Sequence, residues 1–265
     1  MALTMDLNKS TQKLLLSLQK AGIAKPPSVD LAFVLDVSGS FEDEHAAGIT
    51  NDLMTRLVPW GMTFDPDKKL DVFTFSDGAA HAHYVGEVTP DNHERYIDRM
   101  IIGKVPGWNG GTDYSHVLEM VLRHFGWIAG APEANSPPGF FARLFGAAPT
   151  PTPTPATTKP RKSLILFVTD GANADQARTE QVLEASQSRG DEAYFLFLGV
   201  SNQGGTFPFL RKIGDRFDNT AVVVISDIRK FVTQSDEQLN EQLLGAELLK
   251  WLGKRVESGQ PETRL

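Results

Sequence analysis

Five short, nearly continuous apolar runs set the frame of this chain: LAFVLDV (31–37), LDVFTFS (70–76), SLILFVT (163–169), AYFLFLGV (193–200) and AVVVIS (221–226). A run of this kind is what a central parallel strand looks like when helices cover both of its faces. Helical stretches lie between most of them, at 43–59, 91–102, 113–128, 175–188, 205–214 and 236–254. Strand and helix in alternation predict an α/β fold, a doubly wound, mostly parallel sheet with right-handed crossovers and helices on both faces. AHAHYVGEV (80–88) follows the turn Ser76-Asp77-Gly78 and reads as an antiparallel edge strand of a hairpin.

The rest of the chain is arranged around that core. Residues 5–22 read as a helix with Leu14, Leu15, Leu18 and Ile23 near one face and Gly22 as its stop, before Lys25-Pro26-Pro27 breaks the chain. We therefore expect an N-terminal helix in 1–27 that packs on the core, a main domain over 28–254, and a flexible tail at 255–265. Residues 130–162 depart from the pattern. Their PTPTPTP tract has the composition of a semi-rigid extended linker, and their place between a helix and the 163–169 strand makes them an insertion into one folding unit.

Composition narrows the function classes. At 265 residues the chain can bury roughly 70–75% of its unfolded surface, so a full α/β core needs no staples. It has no cysteine, which excludes disulfides and thiolate metal ligands and fits a reducing compartment. A net charge of −7 argues against a nucleic-acid partner, which requires a basic footprint. MALTMDLNKS lacks the basic and apolar regions of a signal peptide, and no run approaches the roughly 18 apolar residues of a membrane span. The expectation is a cytoplasmic protein.

Three loops carry the chemistry. The first strand runs into Asp36-Val37-Ser38-Gly39-Ser40, the 163–169 strand into Asp170-Gly171, and Gly110-Gly111-Thr112-Asp113 opens the helix at 113–128, with Thr112 as its expected N-cap. In an open α/β sheet, ligands bind beyond the carboxyl ends of the strands. Asp36, Ser38, Ser40, Thr112 and Asp170 would then offer two carboxylates and three hydroxyls to one point, with neither His nor Cys. That donor set suits a hard divalent cation, Mg²⁺ first, with Mn²⁺ or Ca²⁺ as alternatives, and leaves a position for water or a partner's carboxylate.

Asp36-x-Ser38-x-Ser40, then Thr112, then Asp170-Gly171 resembles the metal-ion-dependent adhesion site of von Willebrand factor type A domains, over roughly residues 28–250. LNKSTQKLLLSLQKAGI, LDVFTFSDGA, GWNGGTDYSHVL, LILFVTDGANAD and FLGVSN are further similar to the bacterial type A domains associated with tellurite-resistance gene clusters, the TerF-like group. The resemblance implies a Rossmann-like sheet with one antiparallel edge strand. It implies that Ser38, Ser40 and Thr112 touch the metal through their hydroxyls and that Asp36 and Asp170 act directly or through water. The sixth position would go to an acidic residue of a protein partner. The implied role is non-enzymatic: a cation-dependent interaction module in a bacterial or phage stress-response complex.

Other features admit two readings each. Trp108 and Asn109 either contact a partner or anchor the glycine-rich loop. Phe140, Phe141, Leu144 and Phe145 share one face of a short helix, so 139–146 either docks into a partner groove or onto a membrane surface, or folds back on its own domain. His81 and His83 would share a strand face, solvated or metal-binding. His45 and His116 are surface or packing residues, or rim groups, and Glu42, Asp43 and Glu44 offset a helix dipole or tune cation uptake. Two other functions compete: a scaffold component in which a metal only stabilises the fold, and a Mg²⁺-dependent phosphohydrolase. An aspartyl-phosphate enzyme would need a second acid where Ser38 stands.

Overall fold

Successive residues of a strand point to opposite faces, and in this chain both sets are apolar. Leu31, Phe33 and Leu35 join Leu164, Leu166 and Val168 in one buried cluster, while Ala32 and Val34 join Ile165 and Phe167 in another. The computed structural model describes residues 5–129, 159–171, 173–201 and 205–253. Its strands are β1 (Asp30–Asp36), β2 (Leu70–Phe75), β3 (His83–Val88), β4 (Ser163–Thr169), β5 (Ala193–Val200) and β6 (Thr220–Ile225). They form one sheet in the order β3-β2-β1-β4-β5-β6, parallel throughout except for the antiparallel pair β2–β3. This is the doubly wound sheet with an antiparallel edge that the sequence predicts.

Helices cover both faces. On one lie α1 (Leu7–Lys20), α3 (Ile49–Phe64), α4 (Tyr96–Met100), α8 (Ile228–Thr233), α9 (Asp236–Leu243) and α10 (Ala246–Gly253); on the other lie α5 (Ser115–His124), α6 (Gln176–Arg189) and α7 (Pro208–Arg216). The short α2 (Glu42–Ala46) stands at the end of β1. Asp6 caps α1 by accepting from Lys9 N, and α1 packs on α3 and α9 through the fully buried Leu14 and Leu18. Removing a buried aromatic such as Phe167 from this interior would cost about 3–5 kcal/mol.

Several elements differ from the periodicity, each for a local reason. The helix expected at 43–59 is two, because Gly48 takes a left-handed φ of 75° between α2 and α3. α3 then runs through Pro59 to Phe64. At Gly61 a Cβ would come within 2.7 Å of the Lys69 carbonyl oxygen, so only glycine lets this helix lie so close to the chain that enters β2. The 91–102 helix shortens to α4, entered through Arg95 at φ 50°. The 205–214 helix begins only at Pro208, a residue that suits a first helical position. The 236–254 helix is broken between Leu243 and Ala246. α8, capped by Asp227 on Lys230 N, was not expected from the pattern. At the hairpin, Ala79–His81 form a single 3₁₀ turn and the strand starts at His83. His81 and His83 therefore do not share a strand face; His81 Nδ1 lies 3.2 Å from Asp77 Oδ1.

Candidate metal centre

The strand order reverses between β1 and β4, which are neighbours although the chain leaves them toward opposite sides of the sheet. Loops that follow two such strands diverge and leave a crevice beyond the strand ends, where open α/β folds bind ligands. Asp36 is the last residue of β1, and Asp170 directly follows β4.

The side chains converge there. Ser38 Oγ and Ser40 Oγ are 3.1 Å apart, and Ser40 Oγ donates to Asp170 Oδ1 over 2.9 Å. Gly171 supplies the space between the loops: a Cβ on it would lie 3.2 Å from Thr112 Oγ1 and 3.7 Å from Ser40 Oγ. Ser40 Oγ thus contacts both Ser38 and Asp170 and, with Thr112 Oγ1, borders one small volume that a side chain on Gly171 would fill. Asp36 is fully buried, with Oδ1 accepting from Ser38 N (2.9 Å) and Oδ2 from Thr169 Oγ1 (2.6 Å).

Backbone contacts hold the three loops in register. Gly39 N donates to Gly110 O (3.1 Å) and Asn109 N to Val37 O (2.8 Å), which ties the glycine-rich loop to the end of β1. Ala174 N donates to Thr112 O (2.9 Å), which ties the same loop to the segment after β4. Thr112 is not the cap of α5. The helix starts at Ser115, and its free amides Tyr114 N and Ser115 N donate to the two carboxylate oxygens of Asp175 (3.0 and 3.1 Å). Because a carboxylate from a neighbouring loop satisfies those amides, the Thr112 side chain is left for the crevice.

Burial sets the electrostatics. It pushes the Asp36 carboxyl up to about 7, against the opposing hydrogen bonds from Ser38 and Thr169. Asp170 is pushed up to about 6, also by burial first, with the Ser40 hydrogen bond opposing and the charge of Glu44 adding to the rise. Two carboxylates held above their ordinary range are short of positive charge. A cation between these loops would supply it.

Residues outside the five-residue motif support the site from behind. His45 is buried, and its Nε2 lies 2.9 Å from Asp36 O. A carbonyl can only accept, so Nε2 carries the proton and Nδ1 accepts from Thr50 Oγ1 at 3.0 Å. Burial pushes this imidazole down to about 4, which keeps it neutral. His45 is thus a packing residue. Tyr114 Oη donates to Gly171 O (2.9 Å) and lies 3.0 Å from Thr169 Oγ1. Asp175 in turn accepts from Thr179 Oγ1 (2.9 Å), and its amide donates to Asn173 Oδ1 (3.0 Å). An aspartate at the first position of the expected helical stretch 175–188 is the available signal, though nothing local says that it caps a different helix.

The remaining candidates are spread out. Trp108 is half-buried against the core, 5.1 Å between ring centroids from His45, and anchors its loop; Asn109 is exposed, with φ 62°. His116 lies at 3.5 Å from Arg178 Nη1 on the surface. Phe140, Phe141, Leu144 and Phe145 lie outside the described residues, as do the PTPTPTP tract and the 255–265 tail.

Known proteins resemble this chain in sequence family and in fold. Residues 28–133 match a family model described as the vWA found in the TerF C terminus. Over these residues the chain is similar to the von Willebrand factor type A domains of the TerF-like group. The match spans Asp36, Ser38, Ser40 and Thr112 and stops short of Asp170. The chain is also 26% identical over 261 residues to the uncharacterized protein YcbR of Bacillus subtilis (strain 168), covering 97% of this chain and 89% of that one. Among solved structures, the chain shares its fold with proximal thread matrix protein 1 of the mussel byssus, at a TM-score of 0.51, 12% identity and 82% of this chain. A second structure of that mussel protein, described as having a zinc-occupied MIDAS motif, gives a TM-score of 0.50 at 14% identity over 83% of this chain. The chain spans about half the length of these structures, 48% in each case.

Proposed function

We propose that this type A domain is a divalent-cation-dependent protein-interaction module. Asp36, Ser38, Ser40, Thr112 and Asp170 hold the cation, and a carboxylate from a protein partner completes its shell. The observation that carries this reading is the space beside Gly171, bordered by the hydroxyls of Thr112 and Ser40, with Asp170 hydrogen-bonded to Ser40. Oxygen donors without nitrogen or sulfur suit Mg²⁺ first, then Mn²⁺ or Ca²⁺. The zinc-occupied motif of the mussel protein supports occupancy of such a site by a divalent ion. The cation would serve as an electrophilic anchor for an acidic side chain. Ser38, Ser40 and Thr112 orient it, and the two buried carboxylates gain the positive charge that their surroundings otherwise lack.

The TerF-like match supports a role in a bacterial or phage stress-response assembly of the tellurite-resistance kind, and a cytoplasmic location is part of the same proposal. Among the described residues, no helix is long and apolar enough to cross a membrane. A phosphoenzyme mechanism is disfavoured by the surroundings of Asp36. It is fully buried, and both of its carboxylate oxygens already accept hydrogen bonds, from Ser38 N and Thr169 Oγ1.

The test is an affinity capture from the native host in Mg²⁺ and in excess chelator, with wild type and Asp36→Asn as baits. The module predicts partners retained by wild type in Mg²⁺ and lost in the other three arms. The same partners retained in chelator would exclude it.

A further inference from the structure

A second feature of the crevice lies immediately beside Asp170. A cavity of about 270 Å³ opens between the ends of β4 and β5 and the start of α7, lined by Asp170 and by the apolar residues Phe207, Phe209 and Leu210. Ser201 and Gln176 stand among its polar lining. Its size suits one side chain and is small for a free organic ligand.

Its apolar wall is built under strain. Phe207, the residue before α7, has φ 45° and ψ 57°, a left-handed conformation that a bulky residue adopts only where its surroundings enforce it. Those surroundings are two glycines. A Cβ on Gly199, in β5, would come within 2.9 Å of Phe207 Cγ, and a Cβ on Gly205 within 3.0 Å of Phe207 Cε2. Two missing side chains thus make room for one aromatic ring beside the cavity. Strain of this kind clusters at functional sites, and here it holds a ring that both packs in the buried cluster and lines the cavity.

We infer that this cavity is a specificity subsite that takes an apolar side chain, aromatic or long aliphatic, next to the acidic residue of the protein partner. The inference rests on the proposed carboxylate-binding cation at Asp170. The occupant follows from continuity: Asp170 belongs to both the cation loops and the cavity, so a chain whose carboxylate meets the cation carries its neighbouring side chain past Phe207. Acidic partners without such a neighbour bind more weakly, and the cavity thereby distinguishes among carboxylates that the cation alone would treat alike.

The experiment uses the ¹⁵N-labelled full chain and four small probes: acetyl-Asp-Phe-amide, acetyl-Phe-Asp-amide, acetyl-Asp-Gly-amide and acetyl-Phe-amide, each titrated with and without Mg²⁺. In Mg²⁺, one of the Asp/Phe probes is expected to bind about ten-fold tighter than Asp-Gly and to shift the amides of Gly199, Ser201 and Thr206. Gln176→Trp, at the exposed lip of the cavity, removes that preference and leaves Mg²⁺ uptake and Asp-Gly binding unchanged. Equal affinity for the Asp/Phe and Asp-Gly probes in Mg²⁺ overturns the subsite. Acetyl-Phe-amide separates the two layers: if it shifts the cavity amides irrespective of Mg²⁺ while no Asp probe responds to the metal, the cavity stands and the carboxylate-binding cation falls. If it leaves those amides unmoved and the Asp/Phe probes show no preference, the cavity is not a subsite.

Discussion

Thr169 Oγ1 donates to Asp36 Oδ2 over 2.6 Å, and this bond joins the carboxyl ends of β1 and β4 at the point where the sheet reverses its order. Both residues are fully buried. The carboxylate that the motif names first is therefore held by its neighbouring strand before any ligand arrives, so the crevice is preorganised and the fold and the site are coupled through one side chain.

Replacing that threonine tests the coupling. Thr169→Val keeps the shape but leaves Asp36 Oδ2 without its donor, a buried unsatisfied acceptor that costs about 1–3 kcal/mol. The expected outcome is a lower urea midpoint with an unchanged slope, together with weaker Mg²⁺ uptake. A variant as stable as wild type would show that the bond does not hold the strand ends together.

Asp175 is the second lever, at a distance from the cation oxygens. Its carboxylate accepts from Tyr114 N and Ser115 N, so Asp175→Ala uncaps α5 and frees the loop that carries Thr112. A lost cap costs about 0.5–2 kcal/mol. The variant should melt earlier than wild type and bind Mg²⁺ more weakly although no proposed ligand is altered. Asp175→Asn, which keeps one acceptor, should fall between the two. Thermal melts and calorimetric titrations of the three proteins decide it.

The raised carboxyls make cation uptake pH-dependent. Burial holds Asp36 at about 7 and Asp170 at about 6, each above the ordinary aspartate value of 3.8. Between about pH 4 and pH 7 the metal-free folded state keeps protons that the unfolded chain has already released. Stability from these two groups therefore falls as pH rises through that window and is level above it. A cation competes for the same oxygens and must displace those protons. Apparent Mg²⁺ affinity should climb from pH 5 to about 7 and then level off, with proton release on binding that fades above pH 8. Affinity independent of pH over that range would contradict the assignment of these carboxylates.

The sheet was legible because apolar runs of five to eight residues at strand positions report burial on both faces, and burial is what a parallel sheet imposes. The candidate site was legible for a related reason: Asp36 stands near the end of one such run and Asp170 directly after another, and the strand order brings the ends of β1 and β4 together. What the pattern does not carry is backbone detail and contacts far apart in sequence. The break at Gly48 depends on a left-handed φ that many glycines never adopt. The cap on α5 comes from Asp175, 60 residues from Ser115, so local sequence assigned that role to Thr112 instead. For His45 the sequence leaves surface, packing and rim readings open, because its partner, the carbonyl of Asp36, carries no side-chain signature.

The most direct measurement of the central claim is a calorimetric titration of Mg²⁺ and Mn²⁺ into wild type, Ser38→Ala and Asp170→Asn, with circular dichroism to establish that all three are folded. The account predicts one cation per wild-type chain and a loss of affinity of about ten-fold or more in each folded variant. Equal uptake by wild type and both variants, or no uptake by wild type at pH 8, would contradict it.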